Sequence, residues 1–145
     1  MSEAPGETAW TIGDRHLATV QPPDIVRFAM IGDISAGDVK AVFDTLNEIA
    51  PSLAKPVFIL ADLARMGSVT PEARKVAGSQ AMLPPCVMIF IGATRLQRTL
   101  IQLVDRGYRL LTRDPDPAPA VFVRSEDEAQ RWVEEHRRAQ ARAVR

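Results

Sequence analysis

The residues able to bind or react gather in two stretches. Asp62, Arg65, Ser68, Thr70, Glu72 and Arg74 follow one apolar run, and Gly92, Thr94, Arg95 and Arg98 follow another. Carboxylates, hydroxyls and guanidiniums in that mixture suit anion binding or a protein contact. Arginine's planar fork matches carboxylate and phosphate, and helices opening at Thr70 and Thr94 would present free N–H groups. A local account stands beside the functional one: Asp62 caps a loop, Ser68 sits in a turn, Thr70 caps a helix, and Glu72 and Arg74 pair or cap at its start. Neither account supplies a nucleophile with a base. The histidines, His16 and His136, lie far apart, and no Gly-x-Ser-x-Gly, Walker or dinucleotide glycine pattern is present. Two distant histidines without an acidic cluster do not make a metal site. Cys86 opens an apolar segment, where it reads as a small buried hydrophobe rather than a reactive thiol. The expectation is a protein that is not an enzyme and needs neither cofactor nor metal.

Composition narrows the class. The chain has 145 residues, 46% hydrophobic and 25% charged, enough for one ordinary core. No apolar run approaches the roughly 18 residues of a membrane-crossing helix. Met1 to Ala9 lacks the basic-then-apolar pattern of a signal peptide, so the expected address is cytoplasmic. One cysteine excludes an internal disulfide framework. The net charge of zero conceals an asymmetry: residues 1–73 carry five basic and ten acidic side chains, residues 74–145 thirteen basic and eight acidic. The basic half could meet an anionic partner or be a solvated surface. No nucleic-acid module is present, and nucleic acid is not expected as a partner.

The elements that must position these residues follow from the apolar pattern. His16–Gln21 and Ile25–Ile31, separated by Pro22-Pro23-Asp24, predict an antiparallel hairpin. Ser35 with Asp38 three residues on predicts a helix start, after which Val39, Val42, Phe43, Leu46, Ile49 and Leu53 share one face. Pro56–Ala61 and Cys86–Ile91 are continuous apolar runs, the mark of parallel strands covered on both faces. Between them Thr70-Pro71-Glu72 opens a second helix. It carries Gly78 in its middle and gives way to Pro84-Pro85. A third helix runs from about Arg95 to Leu111. The proline-rich segment 114–119 connects it to a strand at Ala120–Val123. Ser125-Glu126-Asp127-Glu128 then starts a last helix, in which Ala129, Trp132, Val133 and His136 share a face. The predicted fold is a single α/β domain, a mixed sheet of about five strands in the order β-β-α-β-α-β-α-β-α with helices packed on it. It spans residues 10–138, between a flexible stretch 1–9 and a fraying basic end 139–145.

Four segments in this order carry a resemblance. They are Gly32-Asp33-Ile34-Ser35, Phe58-Ile59-Leu60-Ala61-Asp62-Leu63, Val69-Thr70-Pro71-Glu72-Ala73-Arg74 and Glu126-Asp127-Glu128-Ala129-Gln130-Arg131-Trp132. Through them the chain, from about Trp10 to Arg138, resembles the SpoIIAA-like branch of the STAS (sulphate transporter and anti-sigma-factor antagonist) superfamily. The resemblance implies a STAS-like domain related in shape to the lipid-carrying CRAL-TRIO domain, and a non-catalytic interaction or ligand-binding module. Phospho-switched members keep an acceptor serine in an Asp-Ser-Ser-Gly-like turn after the central strand. Here the matching stretch reads Arg65-Met66-Gly67-Ser68-Val69-Thr70, so the motif is not kept. Ser68 is the candidate phosphoacceptor, with Thr70 beside it.

The third helix adds a surface. Arg95, Arg98, Gln102, Arg106, Arg109 and Arg113 form one stripe, and Leu96, Leu100, Leu103, Gly107 and Leu111 another roughly 120–140° away. With the leucines buried on the sheet, the arginines would point outward, towards solvent, an acidic protein or anionic lipid headgroups. The leading expectation is a regulatory or adaptor module acting through an unidentified protein partner, with Ser68, Thr70 and Arg74 in the contact surface. The alternative is a carrier of a lipid or other apolar small molecule that docks reversibly on an anionic membrane surface. That reading requires a cavity between the sheet and the second and third helices. Exposed sheet edges leave a homodimer open.

Overall fold

A computed structural model of the chain describes residues 8–79, 86–112 and 120–143. Among these, six strands and four helices follow one another: β1 (Thr8–Ile12), β2 (His16–Gln21), β3 (Ile25–Ile34), α1 (Ala36–Ile49), β4 (Val57–Val69), α2 (Pro71–Ser79), β5 (Cys86–Ile91), α3 (Arg95–Thr112), β6 (Val121–Val123) and α4 (Glu126–Ala143). The strands lie in one sheet in chain order. β2 lies antiparallel between β1 and β3, and β3, β4, β5 and β6 run parallel. This is the predicted α/β domain with a mixed sheet, enlarged by one strand. The addition, β1, starts at Thr8 and joins β2 through a turn in which Gly13 takes φ +64°, a conformation that glycine adopts without steric cost.

The sheet is covered unequally. On one face α1 places Leu46 and the half-buried Val39, Val42, Phe43 and Ile49 on Val26, Phe28, Val57, Ile59 and Ala61, and α2 adds Ala73 and α3 adds Ile101. On the other face α4 lays Ala129 and Val133 on Phe58, Leu60, Val87, Ile89 and Val123. β5 shows why its sequence lacks polar alternation: Val87, Ile89 and Ile91 face α4, while Cys86, Met88 and Phe90 face the three-helix layer. Each fully buried aliphatic side chain contributes about 2 kcal/mol relative to exposure. α4 is further fixed by aromatic contact. Trp132 and His136 stack at 4.9 Å, and Phe58 meets both edge-on.

Five local expectations change. β3 does not end at Ile31 but continues to Ile34, which puts Asp33 in the strand. β4 does not end at Ala61 but continues to Val69, so Arg65–Val69 is strand and not turn. Gly78 stands next to the last residue of α2 rather than in its middle. α4 continues to Ala143, through most of the stretch expected to fray. Finally, Leu96 and Leu103 of α3 do not face the sheet; they are 68% and 56% exposed, and Ile101 makes the core contact instead. Residues 1–7, Pro84-Pro85, Arg113, the proline-rich segment 114–119 and residues 144–145 lie outside the described residues.

Candidate functional site

The carboxyl ends of β3 and β4 are shaped by two register shifts. Ala29 pairs with Asp62 and Ile31 with Arg65; Gly32 pairs with Met66 and Ile34 with Val69. Each time β4 spends three residues where β3 spends two, so each shift is a bulge in β4. A bulge leaves a backbone N–H without its ladder partner, and here an aspartate side chain takes it. At the first bulge Asp62 Oδ1 accepts the Ala64 N–H at 3.0 Å. At the second, Asp33 of β3 stands opposite both Gly67 and Ser68. Its Oδ1 accepts the Ser68 N–H at 2.9 Å and the Ser68 hydroxyl at 3.1 Å. These two bonds from Ser68, with Arg15 nearby, hold the Asp33 carboxyl below its ordinary value against a smaller desolvation effect.

Arg15, in the β1–β2 turn, ties this end to α1. Its guanidinium donates to the Asp33 carbonyl and to Asp38 Oδ2. Asp38 closes the capping box predicted from Ser35: it accepts the Ser35 N–H at 2.9 Å while Ser35 Oγ accepts the Asp38 N–H at 3.2 Å. Burial works to raise the Asp38 carboxyl, but the Ser35 N–H and hydroxyl together with His16 outweigh it and hold it low. His16 is fully buried beneath this cap. Its Nδ1 accepts the Ile31 N–H at 3.1 Å, which leaves the proton on Nε2, 3.3 Å from Asp38 Oδ1.

The other predicted site residues fall into separate places. Thr70 caps α2: its Oγ1 accepts the Ala73 N–H at 3.1 Å, and its own N–H reaches Ile34. Arg74 follows one helical turn later and is half-buried; Glu72 is exposed in the first turn. Thr94 caps α3 reciprocally with Gln97, at 3.1 and 2.8 Å. Gln97 also donates to the Met66 carbonyl at 3.4 Å, which sets the start of α3 beside β4. Arg95 is exposed, and Arg98 lies over the Phe122 ring at 5.5 Å. Asp62 and Arg65 line a shallow groove of about 200 Å³ with Leu17, Ala29 and Ile31, on the sheet face that carries α4. So the structure joins Ser68 and Thr70 at one strand end, places Asp62 and Arg65 in the groove behind it, and puts Thr94, Arg95 and Arg98 on α3. Among the described residues no three or more His, Cys, Asp or Glu side chains form a group that could hold a metal ion.

No protein-family model matches the sequence, and none of the curated proteins does. Solved structures do. The anti-sigma factor antagonist SpoIIAA in its unphosphorylated form aligns with a TM-score of 0.54, at 8% identity, over 85% of this chain and 98% of its own. An uncharacterized DUF3478-family protein with a SpoIIAA-like fold, from Shewanella loihica PV-4, aligns with a TM-score of 0.52, at 13% identity, over 91% and 97%. The fold is SpoIIAA-like, of the STAS type.

On this STAS-type sheet the strand-end cluster contains residues that sequence reasoning passed over as site members: Arg15, His16, Asp33 and Asp38. Gly32-Asp33-Ile34-Ser35 stood out in the sequence as a segment of the resemblance, but nothing in it reveals that Asp33 reaches Ser68 across 35 positions. The pair is poor equipment for nucleophilic catalysis. A carboxylate held below its ordinary value is a weak base for a serine hydroxyl, and the His16 imidazole is turned to Asp38 and Ile31.

Proposed function

We propose that this STAS-type domain is a non-enzymatic regulatory or adaptor module that works by protein contact. In this reading its docking surface is the carboxyl end of β3 and β4 together with the opening of α2. The observation that carries the reading is the placement of Ser68. Its side chain is exposed at the end of β4, fixed by Asp33, two residues before the Thr70 cap of α2 and six before Arg74. A rigid, exposed strand end beside a helix start is a surface that a partner can read without the protein changing shape. The SpoIIAA structure supports the role, since a protein of this fold is an antagonist of an anti-sigma factor. Ser68 is also the proposed phosphoacceptor. A phosphoryl group there would bring up to two negative charges against the Asp33 carboxylate and disturb the same surface.

The carrier alternative needs a cavity between the sheet and helices α2 and α3. Ala73, Met88, Phe90, Ala93 and Ile101 all pack into the core cluster in that layer, which favours the contact reading. Affinity purification of the tagged protein from its host, followed by reconstitution with the purified companion, tests it. The expected result is a companion whose affinity falls at least tenfold for S68E/R74E. Retained affinity in variants altered in charge and size at Ser68, Thr70 and Arg74 would sink this surface.

A further inference from the structure

Among the described residues α3 meets the core cluster through Ile101 and turns an apolar stripe outward. Ile101 packs into the core cluster and Gln97 bonds the Met66 carbonyl. Leu96 and Leu103, seven residues apart and therefore on one stripe, are 68% and 56% exposed, and Leu100 between them is half-buried. Among the described residues only Leu17, on β2, is another large hydrophobe with comparable exposure. Burying these leucines would be favourable, and nothing among the described residues does it.

The charge beside the stripe identifies its occupant. Arg95, Arg98 and Arg106 have exposed side chains. Over its 18 residues α3 carries four arginines against the single acid Asp105. We infer that α3 is an interfacial helix that rests on an anionic lipid surface, its leucines entering the headgroup boundary and Arg95 and Arg106 pairing with lipid phosphates. Leucine flanked by arginine is the composition of helices that lie in a bilayer interface. Protein hot spots instead favour Trp, Tyr and Arg and are poor in leucine. The contact would be peripheral, because no helix among the described residues is long and apolar enough to cross a membrane. Although α3 starts beside β4, its leucines and arginines are different side chains from Ser68, Thr70 and Arg74, so variants of one set test one reading without changing the other.

Vesicle flotation of the full chain tests the inference, with phosphatidylglycerol–phosphatidylcholine vesicles against pure phosphatidylcholine at low and high salt. Circular dichroism checks that each variant is folded. The protein is expected to float with the anionic vesicles and to lose binding as salt rises. L96Q/L103Q should lower partitioning about tenfold or more. R95Q/R106Q should lower it about fivefold per arginine. A wild-type protein that does not float at low salt overturns the inference. So does flotation that L96Q/L103Q leaves unchanged. A dimer in light scattering that L96Q/L103Q converts to monomer also overturns it, because the leucines then face a second copy of the chain.

Discussion

Asp33 accepts both the backbone N–H and the hydroxyl of Ser68 on one carboxylate oxygen, at 2.9 and 3.1 Å, where β4 carries one residue more than β3. The bulge creates the unpaired N–H, and the carboxylate satisfies it. Since these bonds hold the Asp33 carboxyl below 3.8, their contribution to stability is present above the unfolded value and is lost as pH falls through the lower folded value. Two results follow. S68A, which keeps the N–H but removes the hydroxyl, should move the Asp33 carboxyl part of the way back towards 3.8 in a carbon-13 NMR titration. The stability gap between wild type and D33N in urea should shrink as pH falls below 3.8.

Gly67 should not accept a side chain. A Cβ there would stand 2.3 Å from Asp33 Oδ1 and 3.2 Å from both the Asp33 nitrogen and the Gly32 carbonyl carbon. The carboxylate could swing away only by releasing Ser68, and the backbone atoms cannot move so readily. G67A is expected to cost about 1–3 kcal/mol in urea denaturation. Because one of the three contacts is the Asp33 side chain, D33A/G67A should lose less than the sum of the single changes.

Arg137 anchors α4 to the turn before β3. Its guanidinium grips both carboxylate oxygens of Asp24, which is only 8% exposed, and lies over the Phe58 ring at 5.8 Å. R137A strands that carboxylate, and a loss of about 1–3 kcal/mol is expected in thermal or urea unfolding. R137K should recover only part of it, because an ammonium cannot reproduce the two-pronged grip.

The parts of this fold that were legible in the sequence are those set by local chemistry. Ser35 and Asp38, Thr70 and Pro71, and Ser125 and Glu128 are helix starts whose caps lie within four residues of one another. The apolar runs around Phe58 and Ile89 could hardly be anything but buried strands. What was not legible depends on distant partners. Gly67 and Ser68 have the composition of a turn, yet they are strand residues because Asp33 supplies the missing hydrogen-bond acceptor and needs a glycine to approach. β1 has only five residues and depends on pairing with β2 along one edge. The helical period of α3 gives two stripes but does not say which one meets the sheet. Gln97 and Ile101 decide that, and they turn Leu96 and Leu103 outward.

Cys86 provides a clock for the core. Burial at the start of β5 pushes its thiol up to about 11, so roughly one molecule in a thousand carries the thiolate at pH 8. Labelling with a thiol-reactive disulfide dye should be slow in the folded protein and should reach the free-thiol rate in denaturant. Rapid labelling of the folded chain would contradict a thiol held up by burial.

The claim that the Ser68 end of the sheet docks a protein is tested most directly by photo-crosslinking in the host. A photoreactive residue is placed at Glu72, exposed in the first turn of α2, with a control at Glu135, exposed on α4. A discrete protein adduct is expected from position 72 that disappears when S68E is added, and none from position 135. An adduct from position 135 alone, or one from position 72 that S68E leaves unchanged, would contradict the claim.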